Sequence, residues 1–278
     1  MSVQDYRLRF WGVRGTIPTP AAQNLRFGGN TVCLSADLGK ERYLLLDCGS
    51  GLRMFGNDIA AKRHGVERKY HVFLSHYHFD HIQGLPFFSP LYDANSVMTF
   101  HGFKSSGRSV REVLQGFIAP PYFPVKLSGV PSRVEYVDTD GLPLNVADVE
   151  VSCLPLRHPD GSLSYRLRHR GNTIIFATDH EFGDEATDNA LVRFSEGADH
   201  LIYDATYQQS EYESLRRGWG HSTWYAAVKT ARLAKVKNLI LFHHHPDHSD
   251  KELDAILRVA RKEFPATDIA KEGMELPF

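Results

Sequence analysis

The sequence predicts an α/β fold assembled from two similarly built parts, and three observations lead there. Apolar runs of strand length, such as His71-Val72-Phe73-Leu74 and Asn238-Leu239-Ile240-Leu241-Phe242, recur along the chain between Gly- and Pro-rich turns. Helix-length stretches follow these strands in both parts. The 15 histidines are concentrated where predicted strands end, which is a signature of metal chemistry. A chain of 278 residues with 42% hydrophobic content can bury a large core. The expected organisation is one domain over 1–278, with halves of about 1–145 and 146–278.

In the first half, Tyr6 to Gly12 alternates as a strand and breaks at Gly12-Val13-Arg14-Gly15. Phe27-Gly28-Gly29-Asn30 turns the chain into the strand Thr31–Ala36, and Tyr43–Asp47 forms the next. Arg14 and Asn30 stand in these turns, either to meet an anionic substrate or to hold the loops by hydrogen bonds. A helix or broken helix is expected from Leu52 to about Lys69, a short one from Ile82 stopped by proline, and another from Ser109 to Gly116. Val97–Gly102 reads as a strand. The segment from Ile118 to about Ser132, opening Ile118-Ala119-Pro120-Pro121-Tyr122-Phe123-Pro124, belongs to no regular element and is a candidate lid.

The chemistry is centred on Ser75-His76-Tyr77-His78-Phe79-Asp80-His81, just after a buried strand. A tight loop there can turn His76 and His78 toward one point and Asp80 and His81 toward a second. Imidazoles and a carboxylate suit zinc, manganese or iron, and this density reads as half of a two-metal site. Asp47, at a strand end, is placed to steady a ligand histidine from outside.

In the second half, Val149–Leu156 runs into Arg157-His158. Strands Leu163–His169 and Thr173–Thr178 flank the turn Arg170-Gly171-Asn172. Pairing them as a hairpin brings Ser162 beside Asp179, and His158 with it. Asp179 projects from a rigid strand and can bridge two cations. Arg166, Arg168 and Arg170 alternate on one strand face, read as a solvated outer surface. His180 and Glu181 are neighbours of the bridge. The strand His200–Thr206 carries Asp204, placed to orient His221 at the start of a helix over Trp224–Ala234. Asn238–Phe242 ends at His243, and the first histidine after a strand is best placed as the last ligand. His244, His245 and His248 are left as structural or solvent-facing, and a helix over Lys251–Glu263 closes the fold.

These motifs together, in order over nearly the whole chain, resemble the metallo-β-lactamase superfamily. The nearest likeness is the ribonuclease Z-like phosphodiesterase branch, through Asp204-Ala205-Thr206, His221-Ser222-Thr223 and Leu241-Phe242-His243-x-x-Pro246. The resemblance implies a four-layer αβ/βα sandwich: two mixed β-sheets flanked by helices, with metals at the edge where the sheets meet. It implies two divalent ions, zinc foremost and manganese or iron as options. One would be held by His76, His78 and His158, the other by Asp80, His81 and His243, with Asp179 bridging. His78 stands where oxygen-reducing diiron members carry a glutamate, which argues against redox chemistry. Asp204 stands where the branch usually carries glutamate, and no Gly- and Pro-rich arm for clamping transfer RNA is present. The expected function is therefore hydrolysis of a small phosphodiester or cyclic nucleotide by a metal-bridging hydroxide. Asp80, His221 and Asp204 are the expected catalytic residues, and an acyl hydrolase of thioesters or lactones is the alternative on the same centre.

A net charge of -1 gives no general pull toward nucleic acid or an anionic membrane. No run approaches the ~20 apolar residues of a membrane span. Cys33, Cys48 and Cys153, odd in number and outside metal-ligand spacing, suggest a cytoplasmic protein. Oligomeric state is open, a homodimer included.

Overall fold

The computed structural model describes residues 6–62, 65–139 and 143–278. The strands of the first part are β1 (Arg7–Gly12), β2 (Cys33–Asp37), β3 (Arg42–Leu46), β4 (Arg68–Phe73), β5 (Ser96–Gly102) and β6 (Arg133–Asp138). Those of the second are β7 (Leu144–Val146), β8 (Val149–Leu156), β9 (Ser162–His169), β10 (Asn172–Ala177), β11 (His200–Asp204), β12 (Asn238–Phe242), β13 (Thr267–Ile269) and β14 (Glu275–Pro277). The helices are α1 (Gly51–Ala60), α2 (Phe79–Ile82), α3 (Val110–Phe117), α4 (Glu185–Phe194), α5 (Gln209–Glu211), α6 (Trp224–Leu233) and α7 (Asp250–Glu263).

Among the described residues these strands form two seven-stranded mixed sheets, ordered β14-β1-β2-β3-β4-β5-β6 and β13-β12-β11-β10-β9-β8-β7. The two sheets repeat one plan. In the first, β14 through β3 pair antiparallel and β3 through β6 parallel. In the second, β7 through β10 pair antiparallel and β10 through β13 parallel. The last strand, β14, crosses back to the edge of the first sheet.

Period-two patterning accounts for the layers. Ile174 and Phe176 of β10 join Phe10, Leu46, Phe73 and Phe242 in the core between the sheets. Ile175 and Ala177 of the same strand face the other way, against Leu191 of α4, Ala227 of α6 and Ile256 of α7. On the opposite outer face, Leu45 and Tyr70 pack under Leu52, Phe55 and Ile59 of α1 and Leu114 of α3. The result is the helix–sheet–sheet–helix sandwich that the resemblance implied.

Several local expectations change. The helix expected over Leu52 to Lys69 is α1 and ends at Ala60. Arg68 already opens β4, Gly65 takes a left-handed φ of +73°, and residues 63–64 of that span lie outside the described residues. The arginine face of β9 is only partly solvated. Arg166 lies flat on the Phe194 ring, 4.5 Å from its centroid, and donates to Ser152 Oγ at 3.2 Å. Arg168 and Arg170 remain exposed, within 3.9 Å of Glu150 and 3.7 Å of Asp148. The segment after Ile118 is irregular up to Lys126 and then takes a single 3-10 turn over Leu127–Gly129; buried Ile118 and Leu127 pin it at either side while Tyr122 stays 80% exposed. The three cysteines are buried, and none forms a disulfide among the described residues. Among the described residues no helix is long and apolar enough to cross a membrane.

Candidate metal centre

The loop after β4 is fixed from both sheets before its first ligand. Leu74 N donates to His101 O (2.9 Å), and Leu74 O accepts from Tyr165 Oη on β9 (2.7 Å). Ser75 O accepts from Leu163 N at 2.8 Å. His78 is then the extended N-cap of the one-turn helix α2, which carries Asp80 and His81. The remaining predicted ligands lie at strand ends of the second sheet: His158 beyond β8, Asp179 beyond β10 and His243 beyond β12. The hairpin inference holds, since Ser162 Oγ donates to Asp179 O at 2.7 Å.

The seven side chains converge. His76, His78 and His158 form one group of ligand atoms and Asp80, His81 and His243 another, each within 4.8 Å. Asp179 stands between them and divides its oxygens. Oδ1 lies 3.6 Å from His76 Nε2 and 3.7 Å from His158 Nε2. Oδ2 lies 3.2 Å from His81 Nε2 and 3.4 Å from His243 Nε2. His76 Nε2 is buried without a hydrogen-bond partner, an expensive arrangement unless another ligand takes its lone pair. Burial holds the His76 imidazole well below its usual pKa and His158 down at about 4. Both are therefore neutral at pH 7, the form that binds metal. Burial pushes the Asp179 carboxyl up, but His243, His81 and His76 together hold it well below the usual range. Neutral imidazoles at His76 and His158 beside an ionised Asp179 fit divalent cations. At His81 burial lowers the pKa, but Asp179, Asp80 and Asp47 together raise it well above its usual value, so that ring would release its proton on binding metal.

Outer contacts fix the orientation of four of the predicted ligands. Asp47 Oδ2 lies 2.8 Å from His81 Nδ1, while its carboxylate also accepts from Ser75 N and Oγ, as its position at the end of β3 suggested. Thr206 Oγ1 meets His243 Nδ1 at 2.9 Å, Gly220 O accepts from His158 Nδ1 at 2.7 Å, and Thr16 N donates to Asp80 Oδ2 at 2.7 Å. Two glycines press on ligand rings: a Cβ at Gly15 would sit 2.2 Å from His243 Cε1, and one at Gly220 would sit 2.2 Å from His158 Nδ1. Asp47, Asp179 and His243 all hold left-handed φ values of 58°, 56° and 60°. Non-glycine residues adopt that region at a cost, and it turns each side chain sharply off its strand.

His221 stands beside this group, with Nδ1 2.8 Å from Asp204 Oδ2 and 3.7 Å from Asp179 Oδ1. Burial lowers its pKa, but Asp204 and then Asp179 outweigh that and raise it to about 9. It is not the helix cap; Thr223 takes that role, accepting from Ala226 N at 3.2 Å. Asp204 accepts from the amides of Asp179, Thr206 and Ser222, so it is itself immobile.

Arg14 and Asn30 serve the loops. Arg14 is fully buried and donates to the carbonyls of Gly28, His245 and His248. Asn30 donates to Glu272 and accepts from Ser50 Oγ. Among the remaining histidines, His244 gives its Nε2 to Ala270 O (2.8 Å) and His248 pairs with Glu211 (2.9 Å). His180 pairs with Asp188 at 3.0 Å. Glu181 does more than its position suggested: it accepts from Gly218 N, Gly220 N and Tyr212 Oη, fixing the loop that holds both His158 and His221. No local pattern marks Glu181, Gly15 or Gly220, because each acts across more than 30 residues.

The beta-lactamase superfamily domain model matches residues 42–269. The chain belongs to that superfamily. A superfamily relative named ribonuclease Z, from Bradyrhizobium sp. (strain ORS 278), is 26% identical over 96% of this chain and 98% of its own. Two solved structures share the fold. The metallo-β-lactamase fold protein YhfI from Bacillus subtilis superposes with a TM-score of 0.72 at 21% identity, covering 99% of this chain and 100% of its own. A diphosphatase from the PhnP family gives a TM-score of 0.72 at 17% identity, over 99% and 98%.

Proposed function

We propose that the protein is a binuclear metal-dependent phosphodiesterase acting on a small phosphodiester. His76, His78 and His158 would hold one divalent cation and Asp80, His81 and His243 the other, with Asp179 placed between the two groups. The observation that carries this is the Asp179 carboxylate, with one oxygen facing each ligand group. Full-length similarity to ribonuclease Z supports a phosphodiester bond as the target. A net charge of -1 supports a small diester over a long polyanion. Zinc is the proposed ion, and three buried cysteines outside any disulfide support a cytoplasmic setting.

Cations bound there supply Lewis acidity, offset phosphoryl charge and make water a stronger acid. The protein's own groups do the rest. Asp80 is held well below the usual carboxylate range by His81 and His243 against the opposing effect of burial, so it stays ionised. Fixed through Oδ2 by Thr16 N, it orients the attacking water and accepts its proton. His221 keeps its Nδ1–H on Asp204, which leaves Nε2 to protonate the departing oxygen.

The test is a parallel screen of the purified protein against bis(p-nitrophenyl) phosphate, cyclic nucleotides, a thioester and a lactone, with elemental analysis of the same sample. Two divalent ions per chain and turnover of diesters are expected. Hydrolysis of the thioester or lactone without any diester would replace this reading with an acyl hydrolase.

A further inference from the structure

The largest apolar cavity described lies immediately outside the ligand loop and takes no part in the chemistry above. About 490 Å³ in volume, it is walled by Phe79, Pro86, Phe87, Phe117, Tyr122 and Phe123. Phe79 sits between the proposed ligands His78 and Asp80 in the chain, so one wall of this cavity is built by the same loop that carries them. Phe79, Phe87 and Tyr122 are 63%, 60% and 80% exposed, an unusual outlay of aromatic surface in one place.

The walls are rings held by other rings. Phe79 meets Phe117 edge to face, with centroids 5.9 Å apart at 80°, and Phe87 meets Phe123 at 5.9 Å and 84°. No charged side chain lines the cavity, so the phosphoryl group itself cannot belong there. One polar side chain does: Gln83, one turn after Phe79 on the same face of α2, gives its amide N–H to Thr31 Oγ1 at 3.0 Å and keeps its oxygen as an acceptor.

We propose that this cavity is the subsite for a planar aromatic substituent, a nucleobase or an aryl ring, on the non-leaving side of the phosphodiester. A diester divides into a charged centre and uncharged organic arms. The cationic centre takes the first, and ring faces beside it stack on the second. The irregular segment after Ile118 thus forms a wall of the substrate site through Tyr122 and Phe123. This inference rests on the phosphodiesterase reading for its substrate.

Three diesters with one leaving group test it: thymidine 5′-(p-nitrophenyl phosphate), bis(p-nitrophenyl) phosphate and methyl p-nitrophenyl phosphate. Metal-loaded wild type should favour the first two over the methyl ester in kcat/KM. In Tyr122→Ala and in Phe79→Ala that preference should fall about tenfold, the scale of one stacked ring. A fall for thymidine alone assigns the subsite to nucleobases, and a fall for both assigns it to any aryl group. An unchanged preference overturns the proposal. So does an unchanged preference with an altered sedimentation coefficient, which would make the patch a contact between copies of the chain. If wild type hydrolyses none of the three, the phosphodiesterase reading fails, and titration with thymidine decides the subsite separately. Saturable binding weakened in Tyr122→Ala sustains it, and no binding overturns it.

Discussion

The two sheets share a strand plan but contribute to the centre in opposite ways. The first delivers four ligands from a single loop, His76 to His81, within six positions. The second delivers three from the ends of three strands, with His158, Asp179 and His243 spread over 86 positions of sequence. On the proposed assignment neither half completes a ligand group alone, because His76 and His78 are joined by His158, and Asp80 and His81 by His243. On that assignment, the dense motif advertises a metal site that it cannot complete by itself. The sparse half supplies the closure and the bridge.

Removing the bridge is the severest challenge to that view. Asp179→Ala should lose both ions and bring turnover to background, and His158→Ala should lose ion content although the 76–81 loop is intact. Elemental analysis showing two ions in either variant would mean that the first loop suffices alone. Next comes His221→Ala, which should keep both ions and lose roughly 10²–10⁴-fold in kcat, the range of a general acid. Full activity on bis(p-nitrophenyl) phosphate would remove His221 from the chemistry.

Smaller effects sharpen the contrast between the halves. Asp47 orients a ligand of the first sheet with a full charge, and Thr206 orients one of the second with a neutral hydroxyl. Both Asp47→Ala and Thr206→Val should weaken metal binding by roughly 10–100-fold, with Asp47→Ala nearer the upper end. Equal losses in a competitive chelator titration would show that the charge is immaterial. Smallest is Tyr165→Phe, which unpairs the Leu74 carbonyl where the second sheet supports the first loop. A loss of about 1–2 kcal/mol in urea unfolding is expected; no change would mean that the contact between sheets adds nothing.

What could be read from the sequence follows the same division. The first loop is legible because His76, His78, Asp80 and His81 fall within six positions. Asp179 and Ser162 were placed by a single hairpin, which needs only local pairing, and His243 by its position directly after an apolar run. Arg14 was left between two roles because its partners are backbone carbonyls of Gly28, His245 and His248, and main-chain acceptors leave no mark on a sequence. Arg166 departs from the solvated-face expectation for a related reason: alternation shows which face it occupies, but not that the Phe194 ring of α4 lies against that one guanidinium. The steric work of Gly15 and Gly220 was invisible, since their neighbours in space come from strands far away in the chain.

The return of β14 to the edge of β1 sets an order on biosynthesis. A ribosome releases the first sheet with the hydrogen-bonding rim of Arg7–Arg9 bare, and its partner Glu275–Pro277 emerges only after the entire second half. Leu276 and Phe278, which complete the packing between the layers, arrive at the same late moment. A nascent chain therefore carries an open strand rim and an unfinished interior for most of its synthesis, the interval in which such a rim invites pairing with another molecule. A chain stalled or trimmed short of its final residues would be a hazard to its neighbours as well as a defective catalyst.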